Sequence, residues 1–311
     1  MKPAPSIIFF TVASGAGYGL LFWLGVLKPL GLLPASSLFG ATAGIIALAL
    51  ITAGLCSSLL HLGRPERAWR ALSQWRTSWL SREGVAAILT FPPAVVFLIA
   101  LAHGETALML PAGLLSAVGA AVTVYCTGMI YASLKPVKEW HHPMVAPGYL
   151  LFASFSGASL LAMLAIFWGG GFFPALVAAA LGMAALFFKR AYWASVDATP
   201  AASTRESATG LGFIGKVRPL ESPHTESNYL LREMAFRVGR VHAAKLRIIA
   251  LLLGFALPAL LFCVAIIVGG AAAMAFGLLA AASAVAGLLV ERWLIFAEAT
   301  HTVALYYPTQ R

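Results

Sequence analysis

Apolar residues run in long blocks separated by short polar breaks, and the blocks set the number of elements. They fall at about 6–27, 38–60, 84–102, 107–132, 147–168, 173–191, 247–268 and 271–297. A hydrocarbon layer of about 30 Å is crossed by about 20 helical residues, and it holds no water to satisfy free backbone groups, so each block predicts a membrane-spanning helix. The predicted fold is an all-α integral membrane protein: one membrane domain over 1–311, a bundle of eight transmembrane helices. Small-residue runs inside the blocks, Ser14-Gly15-Ala16-Gly17 and Ser156-Gly157-Ala158-Ser159, predict faces where helices approach closely. The first block is longer than a signal-peptide core of about 7–15 residues and predicts a retained helix.

Composition agrees with the pattern. Hydrophobic residues make up 60% of the chain and charged residues 10%, too few polar groups to cover a soluble globule. A net charge of +10 would point a soluble protein toward nucleic acid. Here the basic residues lie between apolar blocks, where they report topology instead and no nucleic-acid partner is expected. Nineteen of the 21 Lys and Arg fall on the side of the amino terminus, ten of them between Lys189 and Arg247, and only Lys28 on the other side. The predicted topology therefore places both termini in the cytoplasm. The one long connection, 192–246, is predicted to be a cytoplasmic loop whose second half, from Asn228, forms a surface helix with Leu230, Met234, Val238 and Val241 spaced along it.

Candidate chemistry is concentrated on that same side. The stretch from Leu59 to Glu83, LLHLGRPERAWRALSQWRTSWLSRE, ends a helix at a histidine, breaks it with Gly63 and Pro65, and then alternates arginines with tryptophans. His61 suits proton exchange at a quinone oxygen, or alternatively caps the last carbonyls of its own helix. Arg64 is placed to hydrogen-bond an anionic oxygen. Trp69, Leu72, Trp75 and Trp79 are spaced to form one helical face in the headgroup region, a reading that needs no chemistry. At the end of the last block Glu291, Glu298 and His301 share a face with Arg292 beside them, at or beyond the membrane boundary. They fit a proton path or plain interfacial pairing equally. Tyr131 ends the fourth block, ahead of Trp140-His141-His142-Pro143. It fits an aromatic belt, or joins His61, Arg64, Glu298 and His301 in enclosing a polar-headed, apolar-tailed ligand.

No metal site is predicted. Cys56, Cys126 and Cys263 are far apart in apolar blocks and read as small core residues, which leaves no iron–sulfur ligand set in this chain. The histidines lie at block ends or in loops rather than deep in two helices, which argues against haem. No phosphate-binding loop or hydrolytic constellation is present, and no catalytic residue is assigned.

The stretch around His61 resembles the membrane-anchor subunit of the dimethyl sulfoxide reductase family, joined by YCTGMIYASLKP and SPHTESNYLLREMAFRVGRVHAAKLR. The long basic loop is more similar to the anchor of the related sulfite dehydrogenases. The resemblance implies a haem-free subunit of a multi-pass complex in the bacterial cytoplasmic membrane. It exchanges electrons between menaquinone or ubiquinone, bound as substrate, and a ferredoxin-like iron–sulfur subunit beside a molybdopterin catalytic subunit. The family's quinol-associated histidine falls on His61. Arg232, Arg237 and Arg240 in the basic loop are expected to dock that partner. A transporter, or an anchor with no quinone site, are the competing expectations.

Overall fold

The computed structural model describes residues 3–60, 62–200, 203–221 and 242–306. Eight helices are long and apolar enough to cross a membrane: α1 Pro5–Leu27, α2 Ser37–Leu59, α3 Trp79–His103, α4 Thr106–Ala132, α5 Val145–Phe167, α6 Phe172–Ala198, α7 Ala243–Val268 and α8 Gly270–Ala297. Among the described residues there is no named strand; a single backbone bridge joins Val137 to His301.

Helix α1 sits at the centre, packing on α2, α4, α5 and α8, with Leu20, Leu21 and Leu24 fully enclosed. Glycines permit this. A Cβ on Gly19 would stand 1.8 Å from the Ala153 carbonyl oxygen, and one on Gly157 would stand 2.0 Å from the Gly19 carbonyl carbon, so α1 and α5 touch backbone to backbone. The small-residue run at Ser156 is thus a packing face. Outward-facing apolar side chains on the other helices, such as Leu89, Val118 and Leu260, are exposed as lipid-facing side chains must be.

Helix α7 carries a wider, π-helical turn at Leu252–Ala256, just before Pro258. Proline donates no hydrogen bond and crowds the preceding turn, and the wider turn relieves that crowding. The Ser283 hydroxyl of α8 donates to the Leu253 carbonyl at 2.6 Å, supplying a partner from the neighbouring helix.

Three boundaries differ from the sequence expectation. Helix α3 begins at Trp79, with Ser78 as its cap, so Arg82 and Glu83 are helical rather than in the preceding loop. Helix α6 continues to Ala198, past the expected end at 191, which places Asp197 inside it. Helix α7 likewise begins at Ala243, ahead of the expected start at Arg247. The added turns carry Glu83 and Asp197 to partners on other helices, Thr127 and Arg247. The expected surface helix from Asn228 lies outside the described residues up to 241; its last residues, from Ala243, belong to α7. The cysteines also divide: Cys126 is buried, whereas Cys56 and Cys263 are exposed on the bundle surface rather than in the core.

On the side away from the amino terminus, the buried Lys28 turns back to donate to the carbonyls of Pro34 and Ser36. Burial pushes its ammonium below the ordinary lysine range.

Candidate functional site

Between α2 and α3, residues Pro65–Gln74 form a 3₁₀ helix with no buried side chain. Trp69, Leu72, Trp75 and Trp79 do not share one face as their spacing predicted. The 3₁₀ segment repeats every three residues and ends before Trp75, while Trp79 opens α3. Trp69 is 67% exposed and Trp75 51%. Leu72 instead turns in over Gly84, where a Cβ would meet it at 2.8 Å. Arg82 ties the segment down by donating to the carbonyls of Trp75 at 3.0 Å and Arg76 at 2.6 Å, its guanidinium 4.2 Å from the Trp79 ring. The result is an exposed plate of arginine and tryptophan beside the start of α3.

One turn into α3, Glu83 is buried, and the Thr127 hydroxyl of α4 donates to its carboxylate. Across the bundle, Lys189 of α6 reaches Glu291 of α8 at 2.5 Å, and Arg292 stands 3.5 Å from the other Glu291 oxygen. The Arg292 guanidinium lies 3.8 Å from the Tyr149 ring of α5, which stacks on Tyr131 of α4. The hydroxyls of Tyr18 and Tyr149 are buried without a hydrogen-bonding partner, as is one oxygen of Glu291. Between the two halves lies an interior cavity of about 20 Å³, lined by Thr11, Ser14, Thr127, Tyr149, Ser156 and Arg292 among others. These groups form a polar layer beneath the face that carries the Arg–Trp plate. Charged groups at such depth are costly and mark functional positions more often than structural ones.

At the ends of α6, α7 and α8 a second cluster opens to the surface. Arg247 donates to both oxygens of Asp197, at 2.6 and 3.1 Å, and to both of Glu298, at 2.8 and 3.2 Å. It lines a cavity of about 220 Å³ with Glu139, Tyr192, Trp193, Asp197 and Glu298. Beside it the connection after α4 docks on the end of α8: the Trp140 indole donates to the Ile295 carbonyl at 2.8 Å, and Glu139 accepts from the Thr300 amide at 3.0 Å. His142 accepts from the Met144 amide through Nδ1 at 3.2 Å, leaving its Nε2–H to face the Ser195 hydroxyl at 3.0 Å. Burial holds this imidazole below the ordinary histidine range.

The predicted residues fall in separate places. Arg64 is exposed at the start of the 3₁₀ segment. Tyr131 is packed between Trp140, Tyr149 and Phe296. Glu298 belongs to the Arg247 cluster, and His301 bridges to Val137 with Nδ1 accepting from the Val303 amide at 3.0 Å. His61 and the docking arginines Arg232, Arg237 and Arg240 lie outside the described residues. Glu291 and Arg292, expected at the boundary, are instead enclosed by the bundle. Sequence reasoning passed over Glu83 and Lys189. Each stands beside an arginine near the end of an apolar block, Arg82 before Glu83 and Arg190 after Lys189, and both read as boundary charges. Among the described residues, no group of three or more His, Cys, Asp or Glu side chains is arranged to hold a metal ion.

Eight apolar helices enclosing a polar layer make this a multi-pass membrane protein. The chain belongs to the family of the DMSO reductase anchor subunit (DmsC), whose family model matches residues 1–307. It is similar to the C subunit of sulfite dehydrogenase from Allochromatium vinosum, 34% identical over 327 aligned positions that cover 99% of each chain. It is a membrane anchor subunit of the DMSO reductase and sulfite dehydrogenase type.

Proposed function

We propose that this anchor exchanges electrons and protons between a membrane quinone, menaquinone or ubiquinone as substrate, and an iron–sulfur subunit that serves a molybdopterin catalytic subunit. The observation that supports this reading best is Glu83: a buried carboxylate, held by Thr127, one turn beneath an exposed Arg–Trp plate. Two-electron quinone chemistry moves two protons, and a carboxylate enclosed at this depth suits handling them. A groove of about 340 Å³ between α1, α4 and α5, lined by Tyr18, Phe22, Val124 and Leu151, offers room for an apolar tail. His61 and Glu83 are the proton-exchanging groups in this reading, and Arg64 the group that hydrogen-bonds the quinone oxygen. Tyr131, Glu298 and His301 complete the set assigned to quinone binding and proton exchange in this reading. The complex lies in the bacterial cytoplasmic membrane with both termini in the cytoplasm, and Arg232, Arg237 and Arg240 contact the iron–sulfur partner.

The test is quinone-linked against dye-linked turnover in the purified complex. His61→Ala and Glu83→Gln are expected to cut quinone-linked turnover ten-fold or more, while an artificial dye, which reaches the partner subunits directly, still turns over. Arg64→Gln is expected to weaken quinone binding more than it slows turnover at saturation, because arginine hydrogen-bonds without relaying protons. Unchanged quinone kinetics in all three variants would leave an anchor without a quinone site.

A further inference from the structure

The buried polar layer holds more than a quinone reaction at Glu83 requires. It contains two acidic groups, Glu83 and Glu291, and two basic ones, Lys189 and Arg292, so it is neutral when all four are ionised. Its halves are separated by the cavity of about 20 Å³. A void of about 10–15 Å³ is enough for one water, provided two to four polar groups line it. The walls meet that condition. Thr11 and Ser14 donate to the carbonyls of Ile7 and Phe10, and Ser156 to that of Phe152, so each hydroxyl keeps its lone pairs to accept from a water. Arg292 supplies N–H donors, and the Tyr149 hydroxyl, buried and lacking a partner of its own, supplies an O–H.

We propose that this cavity binds one water, and that the water, Tyr149 and Glu291 form a proton relay between Glu83 and Lys189. The inference rests on Glu83 receiving quinol protons in the reading above. The relay balances as follows. Glu83, protonated at its carboxylate, gives one proton to the Thr127 hydroxyl; Thr127, the water, Tyr149 and Glu291 each accept one proton and pass one on; the neutral Lys189 amine takes the last and becomes ammonium. Lys189 lies 4.4 Å from the Tyr192 ring and 4.8 Å from that of Trp193, and these two side chains also line the surface cavity that holds Asp197, Glu139 and Glu298. That cavity is where the Lys189 proton leaves. Net charge in a buried layer is expensive, so a proton arriving at Glu83 is compensated by one leaving Lys189, and the two ends act together.

Tyr149→Phe removes only the unpartnered hydroxyl and leaves the ring stack and the fold in place. The experiment follows hydrogen–deuterium exchange of the Glu83 carboxylic acid by infrared difference spectroscopy, on the full-length chain in lipid nanodiscs at a pH low enough to protonate it. The band is identified by its loss in Glu83→Gln. Tyr149→Phe is expected to slow exchange ten-fold or more, and Lys189→Met combined with Glu291→Gln, which removes the pair together, is expected to do the same. Exchange at the wild-type rate in both would overturn the relay. Quinone-linked turnover in the same variants separates the two readings: slowed exchange in a complex whose wild type never turns over quinone leaves the relay standing and removes the quinone site.

Discussion

Lys189 Nζ stands 2.5 Å from Glu291 Oε1, across 102 residues of sequence, with both side chains almost wholly shielded. The pair joins α6 to α8 inside the bundle. Breaking a buried pair from one side leaves the other charge uncompensated, whereas removing both leaves neither. Lys189→Met alone is expected to destabilise the protein by about 3–5 kcal/mol. The double variant with Glu291→Gln is expected to recover most of that loss. Thermal unfolding in detergent measures both, and equal losses in the single and double variants would mean that the pair is not the interaction at stake.

The contact between α1 and α5 is expected to be intolerant of added volume. Gly157→Ala would set a Cβ 2.0 Å from backbone, and neither helix can move away without disturbing α1's other neighbours. A loss of about 1–3 kcal/mol is expected, the usual cost of overpacking. Gly15→Ala, whose nearest neighbour would lie 3.8 Å away, serves as the control and should be near neutral. Parallel unfolding curves for the two variants would show that the helices separate more easily than their spacing implies.

His142 gives the fold a defined acid sensitivity. Its folded-state value is held below the ordinary histidine range, so the unfolded chain takes up the proton first. The contribution is complete above about pH 6.5, falls as the pH drops below that value, and levels off once folded His142 is itself protonated. Between about pH 7.5 and 5 the wild type should lose more thermal stability than His142→Gln, in which the Nδ1 acceptor no longer titrates. An identical loss in the variant would assign the acid sensitivity to other groups.

A reporter placed near Ser207, on the exposed helical turn Arg205–Thr209, and one fused after Arg311 should both behave as cytoplasmic. An extracytoplasmic signal at either position would invert the topology and move the Arg–Trp plate to the opposite side of the membrane.

The eight-helix architecture was legible from the apolar blocks alone, because a lipid environment leaves little choice but helix for each. Ends were harder to read. Hydropathy stops counting a helix near its first charges, yet Asp197 and Glu83 lie in turns that continue α6 and α3 past the apolar blocks, with Arg247 and Thr127 as partners on other helices. A pairing across 102 residues leaves no trace in local periodicity. The Arg–Trp plate was visible as composition and misread as geometry, since a spacing of three and four residues fits an α-helix and the chain adopts a 3₁₀ turn instead. The tie from Trp140 to Ile295 has no sequence signature at all.

The central position of α1 bears on how the protein is made. It leaves the ribosome ahead of the other seven helices, but its backbone contact with α5 must wait until Gly157 has been synthesised, and its contact with α8 until that last helix has followed. Chains grow at about 5–20 residues per second, so α1 spends seconds in lipid with only α2 beside it. During that interval two of its polar positions, Thr11 and Ser14, are shielded by their own bonds to the carbonyls of Ile7 and Phe10. The hydroxyls that line the interior cavity of the finished bundle are thus the ones that make the nascent helix fit to wait in the membrane.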